Sequence, residues 1–224
     1  MDLEQLRDQL SAIDRQILEL VAERQRLSGE IGAWKRASGR PTRDFAREKQ
    51  VLDKARLSAT GLGVPAGLAE ALFSLLIQSS LTNQEQARVR AEGQGSGKPV
   101  LVIGGSGKMG RWFAEFLHSQ GFDVTVADPA GPLAGFKHVR DWRETPDSFA
   151  ITVVSAPIDS MANILHELGV RKRSGLVFDI GSLKSPYMDK LKALAAGGSR
   201  VTSIHPMFGP DTELLSGRHV LFLD

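Results

Sequence analysis

The stretch Val100-Leu101-Val102-Ile103-Gly104-Gly105-Ser106-Gly107-Lys108-Met109-Gly110 decides the fold of the second half of the chain. Four apolar residues running into glycine read as a short buried strand, and the glycine-rich turn after them opens a helix to about Ser119. A second strand is expected at Val124 to Ala127, which completes a βαβ unit. Gly105, Gly107 and Gly110 stand as G-x-G-x-x-G, where glycines permit a tight turn and let backbone approach a pyrophosphate at the helix N-terminus. Alone the motif is weak. In strand–turn–helix context, with Asp128 closing the next strand about 20 residues on, it reads as a dinucleotide cradle made by Gly105, Ser106, Gly107, Lys108, Met109 and Gly110. Asp128 is expected on the adenosine ribose hydroxyls, which points to NAD. It also reads as a loop-opening acid before Pro129, and nearby Arg140 and Arg143 leave NADP open. Lys108 makes no Walker motif, because the Gly-Lys-Ser/Thr order is missing.

Further parallel-type strands are expected at Ile151 to Ser155, Leu176 to Ile180 and Val201 to Ile204, with another strand-like run at Val220 to Leu223. The first three end in Ser155-Ala156-Pro157, Asp179-Ile180-Gly181-Ser182-Leu183-Lys184 and His205-Pro206-Met207-Phe208-Gly209-Pro210. In a doubly wound sheet these ends share the edge where ligands lie. A single histidine after a strand, such as His205, reads by default as a packed or surface residue.

Upstream, Ala91 to Pro99 is rich in glycine, with Ser96 and Pro99, and separates this pattern from a helical one. The domain boundaries are set at 1–90, a linker at 91–98, and 99–224. In the first segment Leu3, Leu6, Leu10, Ile13, Ile17, Leu20, Arg24, Leu27, Ile31 and Trp34 keep a three–four spacing, the mark of one long amphipathic helix ended by Pro41. Gly29 and Gly32 weaken it by ~1 kcal/mol each relative to alanine. A second helix is expected from Thr42 or Asp44 to about Leu57, and a third from Ala66 to about Arg88. A first helix of ~32 residues is ~48 Å long, more than two shorter helices cover, so a second copy packed two-fold about it is the simplest cover.

Arg24 occupies a seam position where leucine is expected. It reads either as the cation of an anionic ligand or as an arginine whose stem snorkels along the seam. On the third helix an apolar face begun by Phe73 and Ile77 turns polar at Ser80 and Gln84. Arg7 lies beside the seam, Lys35 follows Trp34, and Asp44, Arg47 and Glu48 open the second helix. Most charged residues on a helix simply face solvent in local ion pairs.

Composition narrows the rest. With 42% hydrophobic and 24% charged residues, 224 residues suffice for two modest domains. No apolar run approaches the ~18 residues of a bilayer helix and no signal peptide is visible, so a cytoplasmic chain with no membrane partner is expected. The absence of cysteine excludes disulfides, thiolate nucleophiles and Cys-ligated zinc, and five scattered histidines give no metal spacing. A net charge of +2 argues against a nucleic-acid partner.

The run Leu6-Arg7-Asp8-Gln9-Leu10-Ser11-Ala12-Ile13-Asp14, then Ala22-Glu23-Arg24, Lys35, Asp44, Arg47-Glu48, Ser80 and Gln84, resembles the all-helical chorismate mutases over about residues 1–90. The resemblance implies an intertwined homodimer whose sites each take Arg7 from the other chain. Arg24 and Arg47 would grip the carboxylates of chorismate, Lys35 and Gln84 the ether oxygen and Glu48 the ring hydroxyl, with Asp44 and Ser80 supporting. Such a rearrangement needs no nucleophile, acid or metal. The C–O bond breaks ahead of C–C formation, and preset donors stabilise the charge gathering on the ether oxygen. Arginine clamps also select the compact diaxial conformer.

The glycine turn, together with Val154-Ser155-Ala156-Pro157, Asp179-Ile180-Gly181-Ser182-Leu183-Lys184 and His205-Pro206-Met207-Phe208-Gly209-Pro210, resembles the prephenate dehydrogenases. That resemblance implies a Rossmann-like doubly wound parallel sheet that binds NAD and prephenate. His205 would take the proton of the ring hydroxyl as hydride leaves for the nicotinamide and carbon dioxide departs, giving 4-hydroxyphenylpyruvate, a step of tyrosine biosynthesis. A neutral imidazole suits this base role. Ser155 would orient His205 or the hydroxyl, and Ser182 and Lys184 would close the nicotinamide crevice. In the family a helical C-terminal domain follows, with a second dimer interface and a substrate-binding arginine; the sequence stops at Asp224 without it. The expectation is therefore a bifunctional isomerase and oxidoreductase. The alternatives are a mutase beside an inactive, truncated dehydrogenase part, and a helical dimerisation module on an NAD-binding protein. Leucine rather than arginine at position 24 would suit that last reading.

Overall fold

A computed structural model describes residues 2–213 and 215–223. The chain divides into two compact units, Met1–Arg88 and Val89–Asp224.

The first unit is built from α1 (Leu3–Ala37), α2 (Phe45–Gly61) and α3 (Ala66–Ala91). Asp2 and Gln5 form a reciprocal capping box that starts α1: the Asp2 carboxylate accepts from the Gln5 N–H at 2.8 Å and the Gln5 side chain accepts from the Asp2 N–H at 3.0 Å. The helix stops at Ala37, ahead of Pro41, because Gly39 turns the backbone to φ +65° and the Ser38 hydroxyl takes the Trp34 carbonyl at 2.8 Å. Asp44 caps α2, its Oδ1 accepting from the Arg47 N–H at 3.0 Å. Both later helices outrun their expected ends, α2 to Gly61 and α3 to Ala91. Ala55 and Ala59 of α2 and Ala69 of α3 are buried, and Arg56 joins the two helices through Glu70 at 2.6 Å. Ser28 and Gly32 are the buried residues of α1, with Arg24 and Lys35 half-buried on the same face, whereas the apolar stripe is exposed along its length: Leu3, Leu6, Leu10, Ile13, Ile17 and Leu20 are each at least 47% exposed, and Leu27, Ile31 and Trp34 are exposed as well. Six large apolar side chains in line, without cover from their own chain, form a surface that a soluble monomer rarely presents.

The second unit is a seven-stranded sheet in the order β3-β2-β1-β4-β5-β6-β7. Its strands are β1 (Pro99–Ile103), β2 (Asp123–Ala127), β3 (Lys137–Val139), β4 (Ser148–Val154), β5 (Ser174–Asp179), β6 (Arg200–Pro206) and β7 (Val220–Leu223). Helix α4 (Lys108–Ser119) lays Phe113, Ala114 and Leu117 on one face; α5 (Ile158–Arg171) and α6 (Met188–Ala196) cover the other with Met161, Leu165, Leu168, Leu191 and Leu194. The sheet is thus doubly wound, but it departs from the expected all-parallel form: β7 returns antiparallel against β6, pairing Leu221 with His205. This pairing extends β6 to Pro206, so His205 lies within the strand rather than after it. Strand β3, with three residues, is too short to carry a periodic signal in the sequence. The order reverses between β1 and β4, where the Gly104 N–H reaches the Ala127 carbonyl and the Ser155 N–H the Ile103 carbonyl, both at 2.8 Å. Among the described residues no helix is long and apolar enough to cross a membrane.

Candidate functional site

In the helical unit a cavity of about 240 Å³ opens between the C-terminal half of α1, the start of α2 and the middle of α3. Leu27, Ile31, Val51, Ile77 and Leu81 form its apolar wall, while Arg24, Lys35, Asp44, Arg47, Glu48, Ser80 and Gln84 supply the polar lining. Arg24 is half-buried and donates through Nη1 to the Leu76 carbonyl at 2.8 Å and the Ser80 hydroxyl at 2.7 Å. Burial holds its proton affinity below the ordinary arginine value, yet a guanidinium remains charged. Lys35 Nζ donates to the Thr42 carbonyl at 2.6 Å. Glu48 receives Arg43 through Nε at 3.0 Å and Nη2 at 3.2 Å, and the same guanidinium lies over the Phe45 ring. Asp44 lines the cavity while capping α2, and so sets the first turn from which Arg47 and Glu48 project. Gln84 is buried; its Nε2 donates to the Ser28 carbonyl at 2.9 Å and the Ser28 hydroxyl at 2.8 Å, while its Oε1 has no partner among the described residues.

Arg7 stands apart. It is exposed, paired with Glu4 at 2.6 Å, and seventeen residues before Arg24 on the same helix, a rise of ~26 Å along α1. Ser28, Thr42, Val51 and Leu81 line the cavity without being singled out by sequence reasoning, and Arg43 bears on it only through its pair with Glu48. Ser28 carries a usable signal, sitting one turn after Arg24 and two before Lys35 on the same face. Thr42 takes part through its backbone carbonyl, which no side-chain pattern reveals.

In the second unit a cavity of about 1000 Å³ opens at the carboxyl ends of β1, β2 and β4. Ser106, Gly107, Lys108 and Met109 line it at the start of α4, whose cap residue Gly107 makes no side-chain hydrogen bond to the helix. Gly105 and Gly110 sit beneath the floor: a Cβ at Gly105 would come within 2.7 Å of Val126 Cγ1, and one at Gly110 would collide with the Gly104 carbonyl. Asp128 is buried at the cavity edge, Oδ2 accepting from the Ser106 N–H at 3.0 Å and Oδ1 from the Ala130 N–H at 2.9 Å. Arg143 is bound to Glu167 at 2.5 and 2.7 Å and stacks over Trp142, whereas Arg140 makes no ion pair among the described residues. Asp159, Ser160 and Asn163 from the first turns of α5 also line the cavity, and no sequence motif singles them out. A bare helix N-terminus, a floor made of glycine and a fixed carboxylate at the end of β2 are the features that a dinucleotide requires.

The remaining expected residues are scattered. Ser155 lines this cavity; His205 and Ser182 do not. His205 is half-buried with Nδ1 lacking a partner, and among the described residues no hydrogen bond joins it to Ser155. Lys184 does not face the crevice. It is buried, with Nζ donating to Asp179 Oδ1 at 2.5 Å and to the Ile204 carbonyl at 2.8 Å. Tyr187 donates to the same carboxylate oxygen at 2.8 Å, and burial followed by Asp179 pushes its phenol well above the ordinary range. A carboxylate with no exposure needs these partners, which explains why the lysine turns inward.

Residues 6–85 match the family model of chorismate mutase type II, and residues 113–223 that of the prephenate dehydrogenase nucleotide-binding domain. The second match begins after the glycine turn, so the cradle is read from its own geometry. A T-protein of Enterobacter agglomerans is 29% identical over 226 residues, covering 100% of this chain and 57% of that protein. A T-protein of Haemophilus influenzae is 26% identical, covering 99% and 56%. The chain therefore spans little more than half the length of these two relatives. A chorismate mutase of Methanocaldococcus jannaschii is 31% identical over 84 residues, which is 38% of this chain and 85% of that enzyme. Through its helical unit the chain belongs to the type II chorismate mutase family, and it carries in the same polypeptide a segment matching the nucleotide-binding domain of prephenate dehydrogenases.

Proposed function

We propose that the helical unit rearranges chorismate to prephenate. The observation carrying this reading is the convergence of Arg24, Lys35, Arg47 and Gln84 on one small, apolar-walled cavity with Glu48 and Ser80. Two guanidiniums suit the two carboxylates of chorismate and select its compact conformer. Lys35 and Gln84 suit the ether oxygen, where charge gathers as the C–O bond breaks, and Glu48 suits the ring hydroxyl. Asp44 and Ser80 hold these groups in place. Arg7 would complete the site of a second chain. A two-fold dimer through α1 would cover Leu3 to Leu20 and carry the arginine across, which supports the homodimer over a lone chain.

For the second unit we propose NAD binding. Ser106, Gly107, Lys108 and Met109 would hold the pyrophosphate over Gly105 and Gly110, Asp128 the ribose, and Ser155 the inner end; the cofactor, when bound, would be the hydride acceptor. Turnover of prephenate would draw further on His205 and Ser182, and the position of both off the cavity favours a mutase beside a nucleotide-binding domain over a bifunctional enzyme within this chain. A mere dimerisation module is disfavoured by a half-buried arginine in the seam.

The test is loss of chorismate absorbance with the full chain, wild type beside Arg24→Ala and Gln84→Ala, adding NAD afterwards. Wild-type turnover that collapses in both variants supports the mutase, and later NADH formation supports the bifunctional reading. No chorismate loss from folded protein overturns the mutase.

A further inference from the structure

We propose that Ser28 is a positioning residue that fixes the amide of Gln84 for catalysis, in a space that Gly32 leaves open; the proposal rests on the mutase reading above. Ser28 and Gln84 are both buried, and Ser28 accepts from Gln84 Nε2 through its carbonyl at 2.9 Å and its hydroxyl at 2.8 Å. A carbonyl oxygen only accepts, so it decides which end of the amide faces α1. The reverse orientation would set Oε1 against it, acceptor to acceptor. Both acceptors belong to one residue of α1. One N–H divided between them as a three-centre bond leaves the second directed away from α1, toward the cavity that Gln84 lines. That second hydrogen is the one an ether oxygen gathering negative charge needs. Gln84 Oε1 has no partner among the described residues, so the anchoring of this amide falls to Ser28.

Gly32 completes the arrangement one turn further along α1. A Cβ there would lie 2.7 Å from Gln84 Cγ and 3.3 Å from its Cβ and Cδ, so any side chain would push Gln84 from its place. A glycine inside a helix is unfavourable by ~1 kcal/mol relative to alanine, and here it provides the room in which the amide sits. An amide free to turn would present Oε1 to the ether oxygen for part of the time and repel the developing charge. Fixing it beforehand removes that reorganisation from the chemical step.

The experiment measures kcat and KM for chorismate with the full chain in wild type, Ser28→Ala, Gln84→Ala, the Ser28→Ala/Gln84→Ala double variant and Gly32→Ala, each checked for helicity. Loss of one neutral hydrogen bond predicts that Ser28→Ala lowers kcat about 3- to 10-fold with KM within about two-fold. In the Gln84→Ala background the same change has no further effect. Gly32→Ala favours the helix yet lowers kcat more, because it displaces the whole side chain. Additive losses in the double variant, or wild-type kcat in Ser28→Ala, overturn the proposal. If Ser28→Ala does not fold, Gly32→Ala decides alone, and wild-type kcat there overturns it. A folded wild type without chorismate turnover overturns the mutase reading and this proposal together, whereas an active wild type with additive variants overturns this proposal only.

Discussion

Arg24→Ala separates the two roles open to a half-buried arginine in a helical seam. The guanidinium donates to the Leu76 carbonyl and the Ser80 hydroxyl, and a hydrogen bond involving a charged group contributes up to ~1.5–3 kcal/mol. Neither acceptor is orphaned by the change, because the Ser80 hydroxyl itself donates to the Leu76 carbonyl at 2.8 Å. The variant also relieves the desolvation of the guanidinium, the cause of its lowered proton affinity. Net destabilisation should therefore stay near ~1 kcal/mol. Activity should fall much further, since a charge-assisted clamp on a substrate carboxylate is lost from an apolar-walled cavity. A loss of about 10²–10³ in kcat/KM, or ~3–4 kcal/mol, is expected. Urea unfolding monitored by circular dichroism and chorismate kinetics on the same preparation give both numbers. A folded variant with kcat/KM within about three-fold of wild type would refute the reasoning. So would destabilisation above ~3 kcal/mol with proportionate loss of activity, which would make Arg24 an anchor of the seam.

Three further outcomes are expected. Gly110→Ala places a Cβ against the Gly104 carbonyl and should abolish NAD binding by calorimetry while leaving chorismate turnover intact; retained NAD affinity would count against the cradle. Mixing Arg7→Ala with Arg24→Ala chains, each inactive alone, should restore about a quarter of wild-type activity, because about half of randomly paired dimers carry one intact site; no recovery on mixing would argue against an arginine shared across a two-fold axis. Tyr187 is the single tyrosine of the chain and its phenol is held above the ordinary value, so its contribution to stability is whole below the unfolded pKa of ~10 and is lost as pH rises through the higher folded value. Tyrosinate absorbance should then appear together with unfolding, and its appearance in a chain with native circular dichroism would contradict the buried contact with Asp179.

The βαβ unit and the long first helix were legible because each follows a single period over many residues, with punctuation by Gly104 in the one and Pro41 after the other. The helical cavity was legible as well: Arg24, Ser80 and Gln84 break apolar faces at helical spacing, and the structure brings them together with Lys35, Arg47 and Glu48. What escaped detection depends on tertiary partners. His205 enters β6 because β7 folds back upon it, a pairing set by residues some fifteen positions away. Lys184 turns inward because Asp179, buried at the end of β5, requires a cation, and burial of that aspartate could not be read from a strand end alone. Gly32 looks like a defect in a helix when read along the chain. It becomes a packing requirement only with Gln84 opposite it.

The most direct test of the account is the identity of the product. Proton NMR of chorismate incubated with the full chain, without nucleotide or added metal, should show prephenate growing as chorismate declines, with the reaction abolished by Arg24→Ala. Unchanged chorismate in the presence of folded wild-type chain, or a product other than prephenate, would contradict the central claim that the Arg24–Gln84 cavity catalyses this rearrangement.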